Sequence, residues 1–214
     1  MKFLFLGAAA LLAGCATQAP QYYSLQAPAL ASSAQNGPVV ADYAIRVQPV
    51  LIPEQLARPQ IVVATAQSPE VIPLNAALWA GPLEAQIRGT LAAVLAHNLN
   101  VMDISSPKFS GDTPVWQIYF DVQRFDSIYG EAIRQDVVWR MVPQGMPSGV
   151  SGRVCSAQLT MPVGEGMSAL VAGHRQALEH LGGLVGQTLP WPSQASAPAF
   201  SALPEGLKFR GCVG

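Results

Sequence analysis

The amino-acid sequence predicts an α+β domain: a mixed, largely antiparallel sheet with two amphipathic helices packed on one of its faces. Three observations carry this. Apolar and polar residues alternate with period two over several segments. Two other segments, 82–98 and 167–188, carry apolar residues at helical spacing. With 50% of residues apolar and 12% charged, the chain can bury a core and is too weakly charged to stay disordered.

The elements follow in order. Residues 1–14 are read as an export signal. Residues 15–38 hold a tether, a short strand at Tyr22-Tyr23-Ser24-Leu25 and a loop over 32–38. The folded domain is expected over 39–189. It opens with a strand, Tyr43–Val50, in which Tyr43, Ile45 and Val47 alternate with Ala44, Arg46 and Gln48. A proline-bounded turn over 51–59 leads to Gln60–Thr65, a second strand rich in β-branched residues.

The first helix is expected from Pro82 to Asn98. Proline suits the first helical position, because its missing N–H has no intrahelical partner there. Gly81 would cap it, and Glu84 lies in the first turn, where the helix dipole favours an acid. Leu83, Ile87, Leu91, Val94 and Leu95 form its stripe, with Trp79 just ahead as a core plug.

Val115–Asp126 then sets Trp116, Ile118, Phe120 and Val122 against Gln117, Tyr119, Asp121 and Gln123. Ile133, Val137, Trp139 and Met141 repeat the pattern after a turn containing Gly130, and a strand over about 152–161 completes an antiparallel meander. The second helix, Met167–Thr188, has Leu170, Ala177, Leu178, Leu181 and Val185 as its stripe. Gly182-Gly183 costs it up to about 1 kcal/mol per glycine against alanine, which close packing on the sheet would explain. Residues 190–214 form a Pro/Ser/Ala-rich tail, expected to be irregular.

The amino terminus carries the most specific pattern. Met1–Gly14 reads MKFLFLGAAALLAG: one basic residue, then a run of apolar and small residues too short to cross a bilayer, where roughly 20 are needed. Leu12-Ala13-Gly14-Cys15 has the form of a lipobox, a branched apolar residue and two small ones before a cysteine. Small residues let a peptidase approach the backbone, and the Cys15 thiol is the nucleophile that takes the lipid. Each buried methylene contributes about 0.8 kcal/mol, so the several chains of a bacterial lipoprotein hold firmly where a single myristoyl chain would not. Ala16 and Thr17 follow Cys15 in place of an aspartate, which under the sorting rule for such proteins favours the periplasmic face of the outer membrane.

Cys155 and Cys212 remain, an even pair in a chain sent to an oxidising compartment. A disulfide between them would close a loop of roughly 57 residues and staple the tail, contributing about 4 kcal/mol in the chain-entropy description. The alternative is two unpaired thiols, with Cys155 facing the core beside Ala157, Leu159 and Met161. No CxxC or Cys/His spacing suggests metal or redox work.

Charge and motif exclude several functions. Without the signal, 11 basic residues face 13 acidic ones, a net charge of −2, with no basic excess for a phosphate backbone and no polybasic stretch for an anionic membrane. His97 lies near the end of the first helix, and His174 and His180 are six apart on the second, which does not place them on one face. They read as satisfied or exposed helix residues. Neither GxSxG, HExxH, a P-loop nor a Rossmann glycine pattern occurs, and no acid pair stands out, so no catalytic or metal-binding residue is assigned. The one attached group expected is the covalent lipid on Cys15.

The chain resembles a known family. Tyr22-Tyr23-Ser24-Leu25 follows soon after the lipobox cysteine, then come Ile52-Pro53 and Leu56, Arg58-Pro59-Gln60-Ile61-Val62, and Trp79-Ala80-Gly81-Pro82-Leu83 at the helix start. Arg124-Phe125-Asp126 and the closing helix also fit. Together they are similar to the ABC-type transport auxiliary lipoprotein component family, of the PqiC/YmbA type, over nearly the whole mature chain. Gly81, where the family usually has an acid, and the tail with Cys212 depart from it.

The resemblance implies a non-enzymatic periplasmic subunit beneath the outer membrane. It would dock onto an MCE-domain protein in a system that moves lipids or hydrophobic compounds and guards envelope integrity, and such subunits can assemble as rings. Arg58, a charge in a proline-bounded turn, is the residue expected to contact a partner. A different reading is a lipid-binding carrier lipoprotein, which would need a deep apolar pocket. An envelope hydrolase is the third.

Overall fold

The computed structural model describes residues 19–26, 41–65, 70–105, 112–189 and 203–214. Among these, nine strands form one mixed sheet. They are β1 (Gln21–Tyr23), β2 (Ala44–Val47), β3 (Gln60–Ala64), β4 (Val71–Trp79), β5 (Met102–Asp103), β6 (Val115–Ile128), β7 (Ala132–Gln144), β8 (Arg153–Pro162) and β9 (Leu207–Val213). Helix α1 (Leu83–Leu99) separates β4 from β5, and α2 (Met167–Thr188) follows β8. The strand order is β1-β4-β3-β6-β7-β8-β9, with β2 and β5 continuing from β6. The long pairings β6/β7, β7/β8 and β8/β9 are antiparallel, whereas β1/β4, β2/β6 and β3/β6 are parallel. The fold is thus α+β, as the alternation patterns require.

Two bulges decide which side chains face the core. On β6, Val122 pairs with Val137 and Arg124 with Asp136, so Gln123 is an extra residue. Buried residues accordingly switch from Trp116, Ile118, Phe120 and Val122 to Phe125 and Ser127. On β9, Arg210 is the extra residue, and Gly211 takes φ 103°, a conformation open to glycine. Without that bulge Cys212 would point away from Cys155.

One core joins the inward face of β6, β7 and β8 to both helices, with Trp116, Trp139, Phe120, Ile133, Leu91 and Leu181 at 1% exposure or less. The helices pack on each other as well. A Cβ at Gly182 would lie 2.7 Å from Val94 Cγ1, so that glycine is required by α1 and not by the sheet.

Three expectations are corrected. Helix α1 begins one residue late: Pro82, at φ −52° and ψ 129°, occupies the cap position assigned to Gly81. Its other end turns at Asn100, which has a left-handed backbone. Strand β4 lacks the alternation that marks the other strands, since none of its first six residues is buried. Its Pro73 is tolerated because β1 covers only Ala77–Trp79, which leaves the rest of β4 at the sheet edge. And the 190–214 tail, expected to be irregular, ends in β9, held in register along β8 by ladder hydrogen bonds.

Candidate functional site

Segments far apart in sequence converge where β3, β4 and α1 meet. Trp79 N–H donates to the Pro59 carbonyl at 2.7 Å, and Ala80 N–H to the Tyr23 carbonyl at 2.8 Å. Gln86, buried on α1, donates to the Gly81 carbonyl at 2.8 Å and accepts from Leu25 N–H at 2.9 Å. Thr90 Oγ1 donates to its own helix at Gln86 O and approaches Leu25 O. The Tyr-Tyr-Ser-Leu, Arg-Pro-Gln-Ile-Val and Trp-Ala-Gly-Pro-Leu segments therefore lock one another through backbone groups. Trp79 packs edge-on against Phe125, with ring centroids 6.4 Å apart.

Arg58 is exposed on the turn entering β3, with no side-chain partner among the described residues. Its backbone N–H closes the turn to Leu56 O at 2.8 Å. Arg88 is a contrasting case that the sequence did not single out. Its guanidinium donates to Val47 O and Ser105 O, both at 2.8 Å, and ties α1 to β2 and to the chain after β5.

His174 is fully buried at the centre of α2, stacked on Phe125 at 3.9 Å between ring centroids. Gln135 Nε2 donates to the His174 carbonyl at 3.2 Å and lies 3.1 Å from His174 Nδ1. With the amide N–H facing it, Nδ1 is the acceptor, so Nε2 carries the hydrogen and donates to Ser127 Oγ at 2.8 Å. Burial pushes the imidazole pKa down to about 3, so the ring stays neutral. A serine paired to an Nε2–H cannot lose its proton to that nitrogen. The arrangement holds Ser127 and His174 in the core and does not activate a nucleophile.

The opposite, polar face of the sheet carries a chain of charged contacts. Arg210 donates to Gln158 Oε1, Gln158 Nε2 donates to Asp136 at 3.3 Å, and Arg124 lies 3.6 Å from Asp136 and 3.7 Å from Asp126. Desolvation raises the Asp126 pKa, opposed by Arg124 and Arg134. These groups are half exposed, so each pair contributes at most about 1 kcal/mol.

The candidate residues are dispersed. Cys155 and Cys212 are cross-strand partners joined as a disulfide on β8 and β9, with β6 and β7 between them and the Arg58 turn. Cys15 and the 1–14 segment lie outside the described residues. No group of three or more metal-ligating side chains occurs among the described residues, and no helix among them is long and apolar enough to cross a membrane. A cavity of about 290 Å³ lies between Leu56, Val62 and the β6 bulge. A wider one of about 770 Å³ opens on the polar face, lined by Arg134, Gln158 and Lys208 among others. The first is at the small end of the roughly 300–1,000 Å³ range of ligand sites, and the second is charged, so neither is the deep apolar pocket that a lipid carrier needs.

Comparison with known proteins gives the context. The intermembrane transport lipoprotein PqiC of Escherichia coli K12 is 35% identical over 98 residues, as is the protein of the same name from Shigella flexneri. Each alignment covers 46% of this chain and 52% of the relative, so the chain spans about half the length of the curated relatives it matches. A crystal structure of an uncharacterised protein shares the fold with a TM-score of 0.58 at 20% identity, over 79% of this chain and 98% of that one. Residues 23–184 match the family described as ABC-type transport auxiliary lipoprotein component, and the chain belongs to that family.

Proposed function

We propose that this chain is the lipid-anchored, non-catalytic accessory subunit of an MCE/ABC-type system that moves lipids or other hydrophobic compounds between membranes. The match to the auxiliary lipoprotein family over residues 23–184 carries the reading. The covalent lipid on Cys15 holds the domain to the periplasmic face of the outer membrane. The domain works by contact: it docks onto an MCE-domain protein, assembles with copies of itself in a ring, and supports envelope integrity. Arg58, exposed beside the interlocked segments, is the first residue to probe at the docking surface.

The test is deletion of the chain combined with affinity capture. The reading expects increased detergent sensitivity of the deleted strain and recovery of an MCE-domain protein with the tagged, lipidated chain. A deleted strain of unchanged detergent sensitivity, together with no MCE-domain protein captured, would overturn it. Lipid co-purifying with a monomer would favour the carrier reading instead.

A further inference from the structure

The sheet has a well-defined lower end, made by the start of β4, the β6–β7 turn and the exit from β8. Ala64 pairs with Val71 and with Ile128, and Ile128 with Ala132, which in turn pairs with Pro162, so these residues lie in one row. At this end Val71, Ile72 and Tyr129 are 51%, 43% and 49% exposed. The end is acidic around them: residues 128–132 and 162–168 contain Glu131 and Glu165 and no lysine or arginine.

The described chain ahead of β1 heads towards this end. Strand β1 is parallel to β4, with Gln21 level with Ala77, so the backbone leaving Gln21 towards the amino terminus travels in the direction of Val71. Pro20 restricts Ala19 to extended conformations, which keeps the chain on that course. Cys15 is six residues before Gln21, as Val71 is before Ala77, and six extended residues span about 20 Å. Reversing direction would spend a four-residue turn and leave too little chain to reach the opposite end. The β9 edge is six strand spacings from β1, roughly 30 Å at the usual inter-strand distance, and is beyond reach.

We propose that the lower end of the sheet, presenting Val71, Ile72 and Tyr129, rests on the headgroup layer of a zwitterionic lipid surface in which the acyl chains of Cys15 are inserted. The inference rests on the lipidation of Cys15 within the proposed function. A tyrosine is suited to the headgroup level, where its ring is half buried and its hydroxyl stays wet. The glutamates favour a zwitterionic over an anionic surface. The loop between β7 and β8 then points away from the membrane, about 40 Å along β7, leaving the opposite end of the domain for partners.

The test uses the full lipidated chain, extracted from membranes and reconstituted in phosphatidylcholine vesicles, with a thiol-attached fluorophore at Y129C, V71C or S148C. Lipids carrying a quencher near the headgroup should cause loss of fluorescence at 129 and 71 and none at 148. Added phosphatidylglycerol should reduce the loss at 129. Wild type should float with the vesicles and Cys15→Ser should not. If wild type fails to float, the lipid anchor fails and takes the orientation with it. If it floats but quenching is equal at 148 or missing at 129, the orientation alone is overturned. Stronger quenching at 129 with phosphatidylglycerol overturns the zwitterionic assignment.

Discussion

Adjacent glycines in α2 should respond to alanine with opposite signs. Inside a helix, alanine is favoured over glycine by about 1 kcal/mol. At Gly183 nothing opposes this gain, because the nearest atom to a new Cβ is Asn98 Nδ2 at 3.8 Å, an ordinary contact. At Gly182 the Cβ would lie 2.7 Å from Val94 Cγ1 and 3.2 Å from Val94 Cβ, well inside the roughly 3.5–4.0 Å optimum for two carbons. Val94 is 4% exposed, and a β-branched side chain in a helix has essentially one rotamer, so it cannot turn aside. Overpacking of this kind costs about 1–3 kcal/mol. Gly183→Ala should therefore stabilise the domain by up to about 1 kcal/mol, and Gly182→Ala should destabilise it by up to about 2 kcal/mol once the helix gain is set against the clash. Equilibrium urea unfolding followed by tryptophan fluorescence reads both. In a double-mutant cycle, Val94→Ala should relieve part of the Gly182→Ala loss. If Gly182→Ala is as stable as Gly183→Ala, the close approach of the two helices is wrong.

Four other outcomes follow from the same structure. Cys212→Ser should lower stability by about 4 kcal/mol in the chain-entropy description, read by urea unfolding, while titratable thiols at 155 and 212 in the unreduced protein would contradict the pairing. His174 titrates at 6.5 in the unfolded chain and near 3 in the fold, so its stabilisation is complete above pH 6.5 and lost as the pH falls. Between pH 6.5 and about 5, above the carboxylate range, unfolding free energy should decline with a slope that steepens towards about 1.4 kcal/mol per pH unit, a slope absent in His174→Asn. Ser127→Ala leaves the buried His174 Nε2–H without its acceptor and should cost about 1–3 kcal/mol, measured by thermal or urea unfolding. Labelling with radioactive palmitate should mark wild type and not Cys15→Ser; a labelled mutant would place the lipid elsewhere.

The longest elements were the most legible in the sequence. Strands β6, β7 and β8 and helix α2 announce themselves by repeated alternation or a long stripe, because one face of each is buried throughout. Strand β4 was hidden by Pro73 and by six successive residues from Val71 that are not buried. β9 was hidden by the composition of the segment around it. The Gln123 bulge has no signature of its own, so the inward turn of Phe125 and Ser127 could not be foreseen. His174 was readable in one respect: it falls on the Leu170, Ala177, Leu178, Leu181 stripe, the one place on α2 where a histidine must be buried. Its partners come from two strands and depend on that bulge. The segments that resemble the family were visible as words, but their mutual hydrogen bonding required the fold.

The most direct test of the account is native mass spectrometry of complexes released from membranes in mild detergent. It should detect this chain, cleaved before Cys15 and increased in mass by acyl chains, bound to an MCE-domain protein. A chain of uncleaved mass, without lipid and without that partner, would contradict it.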